Sequence, residues 1–306
     1  MKIAIAGATG FVGSRLVEKL YTDHHQILIL TRDAQFARRI FPDRTYPNLE
    51  IITYTPQISG DWQKSITGCD AVINLAGTPI ADQRWTPARK QLIKTSRQVT
   101  TNKIVEAINN ADPRPAVLIN GSAIGYYGTS DTATFDENSA AGQDFLAEVC
   151  QAWEQEVAGL NNTRSVIIRT GIVVGPKGGA VGKMLLPFQM FMGGPIGSGK
   201  QWLSWIHRDD LVNLIIFALH NTAVSGVVNG TAPAPVTMQE FCQVLGQTMQ
   251  RPSWLPVPNF ALKLLLGEGA TVVLDGQKVL PNRTLDLGFQ YEYADLKSAL
   301  AKTING

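Results

Sequence analysis

The sequence predicts an α/β fold, a doubly wound parallel sheet with a smaller C-terminal lobe. Three observations carry this. Short runs rich in Ile, Val and Leu alternate with amphipathic stretches over the first half of the chain. Those runs are apolar on both faces, as strands covered by helices on both sides should be. A glycine-rich turn joins the first run to the first amphipathic stretch.

The strand-like runs are residues 2–6, 26–30, 49–54, 71–75, 116–120 and 165–169. Helices are predicted at 11–22, 87–109 and 144–160. In the first of these, Val12, Leu16, Val17 and Leu20 share one face. This alternation implies right-handed βαβ crossovers and a parallel sheet. Beyond about Gly171, Gly, Pro and Trp become frequent, and helices are predicted at 209–220, 238–249 and 293–303. The expected division is residues 1–170 for the sheet domain and 171–306 for a lobe on the substrate side. No internal repeat or low-complexity tract interrupts it.

Gly7-Ala8-Thr9-Gly10-Phe11-Val12-Gly13 follows the first strand and opens the first helix. Gly7 permits the tight turn, Gly10 lets the backbone approach a pyrophosphate, and Gly13 lets helix and strand pack closely. The amides of Phe11, Val12 and Gly13 then face the anion at a helix N-terminus. In this strand–turn–helix context the triplet marks a Rossmann-type dinucleotide site. The second strand ends in Leu30-Thr31-Arg32. An NAD site usually places a carboxylate here, for the ribose hydroxyls. Thr31 and Arg32 offer a hydroxyl and a guanidinium, suited to a 2′-phosphate, so the expected cofactor is NADP(H). Asp33 stands one residue late and reaches the ribose only in a shifted register.

With 306 residues and 44% hydrophobic residues, the chain buries a core without disulfide or metal. Its net charge of +2 is too balanced to argue for nucleic acid or an anionic membrane. Cys69, Cys150 and Cys242 are far apart and read as reduced, buried thiols of a cytoplasmic protein. The N-terminal apolar run stops at Ala6, which suits a first strand better than a signal peptide. Later apolar runs are too short to span a bilayer. His24, His25 and His220 are isolated, and no metal-ligand cluster is visible. Gly194 to Lys200 has the spacing of a phosphate-binding P-loop, but Gln201 follows where Ser or Thr would hold magnesium. It reads as a glycine-rich loop near the substrate.

Four segments occur in the order seen in extended short-chain dehydrogenases/reductases: Gly7 to Gly13, Asn74-Leu75-Ala76-Gly77, Gly121-Ser122-Ala123 and Trp205 to Leu211. Arg84-Trp85-Thr86, Ser122 to Gly128, Gly193 to Gly199, Gly276 to Val279 and Pro281 to Leu285 narrow the likeness. With these, essentially the whole chain resembles the epimerase-like subfamily that carries a small C-terminal domain of unknown function, here at about 253–300. The resemblance implies an NADP-dependent oxidoreductase. It places Leu75, Ala76 and Gly77 beside the cofactor and Arg97, with Arg84 and Lys90, at its mouth. Some relatives in this subfamily are named cell-division inhibitors, a role no chemistry visible in this sequence carries. Relatives in the superfamily dimerise through helices equivalent to 87–109 and 144–160, which implies a homodimer.

The superfamily's machinery is a Ser with Tyr-x-x-x-Lys, the Lys lowering the pKa of the Tyr. Ser122 matches the Ser. Aligned on Glu154, Leu146 stands where Tyr belongs and Cys150 where Lys belongs. Tyr293 and Lys297 have the spacing but lie far from Ser122, on what reads as a surface helix. The remaining proton donors are Tyr126, Tyr127 and His207, with Ser122 orienting the substrate oxygen. Three functions stay open on the sequence. They are a reductase of an unknown small carbonyl compound, a non-catalytic dinucleotide sensor, and a nucleotide-sugar epimerase, against which the missing Tyr and Arg32 both count.

Overall fold

The computed structural model describes residues 1–306, the side chains of Ala180 and Lys183 excepted. The first half runs β1 (Lys2–Ala6), α1 (Phe11–Thr22), β2 (Gln26–Thr31), α2 (Ala34–Ile40), β3 (Glu50–Thr53), β4 (Ala71–Asn74), α3 (Pro87–Asn110) and β5 (Val117–Ala123). It continues through β6 (Thr134–Phe135), α4 (Phe145–Val157), β7 (Arg164–Thr170), β8 (Ile172–Val174), α5 (Gly179–Gln189), β9 (Trp202–Leu203) and β10 (Trp205–His207). The last third holds α6 (Arg208–His220), β11 (Gly226–Gly230), β12 (Val236–Thr237), α7 (Met238–Met249), α8 (Asn259–Leu266), α9 (Thr271–Leu274), β13 (Lys278–Val279), α10 (Asn282–Asp286) and α11 (Leu296–Asn305).

Seven parallel strands form the central sheet in the order β11-β7-β5-β4-β1-β2-β3. The order reverses direction between β1 and β4, and open α/β sheets bind ligands in the crevice at such a point. Ile3 and Ile5 of β1 pack with Leu16, Val17 and Leu20 of α1 on one face. Ala4 and Ala6 pack with Ile104 and Ile108 of α3 on the other. The expected strands and helices all form, with bounds shifted by up to three residues at most ends. The seventh strand was not foreseen. Its sequence, Gly226-Val227-Val228-Asn229-Gly230, is short and glycine-flanked, and it extends the sheet by pairing with β7. A division at residue 170 therefore runs through the sheet, because β11 returns to it from the second part of the chain.

The C-terminal third wraps back on the core. Phe241, Cys242 and Leu245 of α7 pack with Leu296, Ala299 and Leu300 of α11 around Trp205. The three thiols are free and buried. No described helix is long and apolar enough to cross a membrane.

Candidate functional site

The three glycines of the first turn do different things. Gly7 has φ +83°, in the left-handed region, and a Cβ there would lie 2.6 Å from the Leu75 backbone. A Cβ on Gly13 would lie 2.8 Å from Ala8 Cα and closer still to the Gly7 carbonyl. Gly13 is thus a packing glycine. A Cβ on Gly10 would meet only the Gly7 carbonyl oxygen, at 3.3 Å, with open space otherwise. Gly10 caps α1 without a side chain, so the first-turn amides keep no side-chain partner. They front a cavity of about 420 Å³ lined by Gly7, Thr9, Gly10, Thr31, Arg32 and the Leu75–Ala76–Gly77 backbone. This is a cradle that suits a pyrophosphate between ribose units.

At the far end of the cavity, Arg32 is exposed and pairs with no carboxylate among the described residues. Asp33 does not reach the cavity in a shifted register. Its carboxylate accepts the Phe36 amide at 2.9 Å and caps α2. Thr31 is turned onto Asp33, its Oγ1 accepting the Asp33 amide at 3.2 Å. Tyr54 and Gln57, on the connection after β3, and Ser96 and Thr100, on α3, also line it and were missed in the sequence, since no motif marks them. Phe11 and Val12 turn their side chains away from the cavity. The Phe11 ring packs against Gly178 and Gly179 under the Arg208 guanidinium, 4.9 Å away. Val12 packs on the core.

Ser122 lies at the carboxyl end of β5, and its Oγ donates to Glu154 Oε1 at 2.6 Å. Glu154, from α4, also takes a two-pronged bond from Arg169 of β7, with Nε at 2.9 Å and Nη2 at 2.8 Å. Arg169 and Glu154 are almost completely buried, so each is the other's compensation. The Arg169 guanidinium lies 3.3 Å over the Tyr126 ring and donates to Tyr127 Oη at 3.1 Å. Tyr127 in turn donates to Asn229 Oδ1 at 2.7 Å. Burial pushes the Tyr127 hydroxyl up to about 12. The sequence brought Ser122, Tyr126 and Tyr127 to one place, as expected. What it did not show is that the hydroxyls of Ser122 and Tyr127 serve a buried network that ties β5, β7 and α4 to β11, which Tyr126 joins through its ring under the Arg169 guanidinium.

Beside this network is a chamber of about 260 Å³. Leu146, Val149, Cys150 and Trp153 of α4 fall on one helical face and form one wall. Trp202, Val272 and Gln277 come from the C-terminal third. The titratable groups that line it are Arg97, Asp144, Cys150 and Asp275. Leu146 and Cys150 thus both line the chamber. Burial pushes the Cys150 thiol up to about 11, and its Sγ contacts the Ala123 carbonyl. Burial lowers the pKa of Arg97, whose Nη1 donates to the carbonyls of Thr78 and Ile93 and whose guanidinium lies 5.2 Å over the Trp153 ring. Asp144 caps α4 by accepting the Ala147 amide. Asp275 sits at the rim, held above the usual carboxylate range by burial.

His207 is not at the chamber. It is fully buried on β10, its Nδ1 accepts the Asp209 amide to cap α6, and its ring lies 4.1 Å from that of Tyr293. Burial lowers it to about 4. Tyr293 precedes α11 rather than riding on it, so Tyr293 and Lys297 form no pair on one helix. The Gly194–Lys200 loop leads into the short strand β9 and has no helix at its end, which a P-loop requires. No group of metal-ligating side chains occurs among the described residues.

An open doubly wound sheet with a glycine turn at its switch point, a Ser-bearing strand and a chamber at the strand ends defines an epimerase/dehydratase-like dinucleotide enzyme fold. The NAD dependent epimerase/dehydratase family matches residues 3–229, and the chain belongs to it. A domain of unknown function, DUF1731, matches residues 257–303. The chain is 53% identical over 303 residues to the chloroplastic "Epimerase family protein SDR39U1 homolog" of Arabidopsis thaliana, covering 98% of this chain and 86% of that one. It is 38% identical to the "Epimerase family protein YfhF" of Bacillus subtilis, over 99% and 98% of the two chains. The crystal structure of human SDR39U1 (isoform 2) with NADPH superposes with a TM-score of 0.88 at 35% identity, covering all of both chains.

Proposed function

We propose that the chain binds NADP(H) over the Gly7–Gly13 turn. There it acts as an oxidoreductase on a small carbonyl or hydroxyl compound with an apolar body. One observation carries the reading: Arg97, which lines the apolar chamber, packs against Gly77, which lines the dinucleotide cavity. The Arg97 guanidinium carbon stands 3.1 Å from where a Gly77 Cβ would be, between the two spaces. A relative of the same length crystallised with NADPH supports the cofactor, and the free Arg32 guanidinium supports NADPH over NADH.

Gly10 and the α1 amides would hold the pyrophosphate and Arg32 the 2′-phosphate. A nicotinamide bound there supplies or takes a hydride. Arg97 provides the positive charge that a Lys on α4 would otherwise provide, from α3 instead. Leu146, Val149 and Trp153 exclude water and hold the apolar part of the substrate. Besides Asp144, whose carboxylate caps α4, the proton carriers that line the chamber are the neutral Cys150 thiol and the rim carboxyl Asp275. A thiol pushed up to about 11 is not matched to neutral pH as a tuned Tyr–Lys pair is, so the expected turnover is slow.

A panel of apolar ketones, aldehydes and sugar nucleotides, followed at the NADPH absorbance band, tests this. Slow oxidation of NADPH with the apolar carbonyls, lowered further in Cys150→Ala or Asp275→Asn, is the expected result. Rapid turnover of a sugar nucleotide would defeat the apolar-substrate reading. One observation favours a second reading, a dinucleotide sensor without turnover: Ser122, Tyr127 and His207 are all engaged in the fold. No oxidation with any substrate while NADPH binds tightly would select it.

A further inference from the structure

Two guanidinium groups stand beside the chamber, and they are compensated differently. Arg169 gives Nε and Nη2 to the two oxygens of Glu154. Arg97 has no carboxylate partner among the described residues. The charges that act on it come from Cys150 and Arg89, and burial lowers its pKa. A guanidinium keeps its proton in a protein. Drawing one out of water without a counter-charge is costly, and an arriving anion offsets that cost.

The Arg97 group is held at three places. Its Nη1 donates to the carbonyls of Thr78 at 3.0 Å and Ile93 at 3.1 Å. It lies 5.2 Å over the Trp153 ring. A Cβ on Gly77 would stand 3.1 Å from its central carbon, 3.2 Å from Nη2 and 3.3 Å from Nε, so only a glycine leaves the group its room. The Nε–Nη2 edge remains. It forms no hydrogen bond among the described residues, and neither nitrogen is enclosed. This is the edge that Arg169 offers to Glu154, two parallel N–H donors that match a carboxylate.

Arg97 lines the chamber and not the dinucleotide cavity. The chamber's acids lie at its other end. Asp144 precedes α4, and Trp153 is nine residues further on, roughly 13 Å along the helix. Asp275 is held up in part by Asp144 and Asp131, so it belongs to that end as well. A volume of about 260 Å³, at roughly 30 Å³ for each water-sized unit, admits about nine such units, far short of a sugar nucleotide. We infer that the substrate is a small acid whose carboxylate is received by the Nε–Nη2 edge of Arg97, its apolar body lying along Leu146, Val149 and Trp153. The inference rests on the reading of the chamber as the substrate site, and it makes the substrate an oxo acid or the matching hydroxy acid. Reduction adds a hydride from NADPH to the carbonyl carbon and a proton to its oxygen, giving NADP⁺ and the hydroxy acid. The carboxylate is a handle and is unchanged.

The test is calorimetric titration of the NADPH-loaded chain with hydrocinnamate and with its uncharged isostere hydrocinnamamide. The acid is expected to bind about ten- to a hundredfold more tightly, the range for a charge-assisted two-pronged bond. This comparison needs the wild type alone. Arg97→Met should bring the acid down to the affinity of the amide, with circular dichroism as in wild type and NADPH affinity changed by less than about threefold. Arg97→Lys should keep part of the preference, since it retains the charge and loses the fork. Hydrocinnamate bound no more tightly than the amide overturns the inference, as does an acid preference that survives Arg97→Met. A folded Arg97→Met protein that loses NADPH and acid affinity equally also overturns it, assigning the guanidinium to the cofactor. Phenylpyruvate separates this inference from the reading beneath it. Acid binding through Arg97 with no NADPH oxidation removes the oxidoreductase and leaves the acid site. Neutral ketones reduced as efficiently as phenylpyruvate keep the oxidoreductase and remove the acid site.

Discussion

The Gly7–Gly13 turn and the neighbourhood of Ser122 both sit at the carboxyl ends of sheet strands, and they treat their polar groups in opposite ways. At the turn, the α1 amides and the Arg32 guanidinium have no side-chain partner and face a cavity. Around Ser122, the hydroxyls of Ser122 and Tyr127 and the carboxylate of Glu154 are already satisfied in a network with Arg169 and Asn229. An unpaired polar group at a cavity is an offer to a ligand, whereas a closed buried network is a structural device. The glycine turn thus presents open amides to a cavity, whereas Ser122, although it lines the chamber, gives its hydroxyl proton to Glu154.

The largest expected effect on cofactor binding is at the turn. Gly10→Val puts methyl groups into the cavity where the pyrophosphate would approach, so NADPH affinity should fall by roughly a hundredfold or more while the fold stays intact. Gly13→Val instead drives a side chain into Ala8 and the Gly7 carbonyl, and should lower stability whether or not NADPH is present. Calorimetric titration beside thermal melts separates the two. Equal loss of affinity and melting temperature in both variants would erase the distinction drawn between these glycines.

The network makes the opposite forecast. Glu154→Gln leaves Arg169 as a buried, uncompensated cation and should destabilise the protein by about 3–5 kcal/mol in urea unfolding. It should change NADPH affinity in the remaining folded protein less than tenfold. A Glu154→Gln protein as stable as wild type would mean that the network is not what holds these strands.

His207 gives a pH signature. Its folded value of about 4 lies below its ordinary 6.5, so the unfolded chain takes up a proton that the folded chain refuses. Stability from this group is complete above about pH 6.5 and is lost as pH falls towards 4, by roughly 3 kcal/mol at most. His207→Gln should flatten that part of the stability profile between neutral pH and pH 4.5. An unchanged slope in the variant would assign the acid sensitivity to other groups.

The smallest of these effects is at Arg32. Arg32→Ala should cost NADPH about 1.5–3 kcal/mol, ten- to a hundredfold, and leave NADH nearly unaffected. Equal losses for both cofactors would mean that Arg32 does not read the 2′-phosphate.

The strands and the turn were legible because their signals are local. Alternation of apolar runs follows from burial on both sheet faces, Gly7 answers to its own left-handed φ, and Gly13 answers to the backbone of Gly7 and Ala8. β11 was not legible, since a five-residue run flanked by glycines at both ends carries no mark of the sheet it will join. The same holds for the chamber. Ser122, Tyr126, Tyr127 and His207 were identifiable as chemistry-bearing side chains, and Leu146 and Cys150 as departures from the usual pair. Their orientation depends on partners 32 residues away in Ser122–Glu154, 42 in Arg169–Tyr127 and 102 in Tyr127–Asn229. Residue order specifies which groups exist and which local elements they ride on. Whether a hydroxyl faces a cavity or a carboxylate is settled by packing between distant elements, because a proton shared at 2.6 Å in a buried network is not available to a substrate.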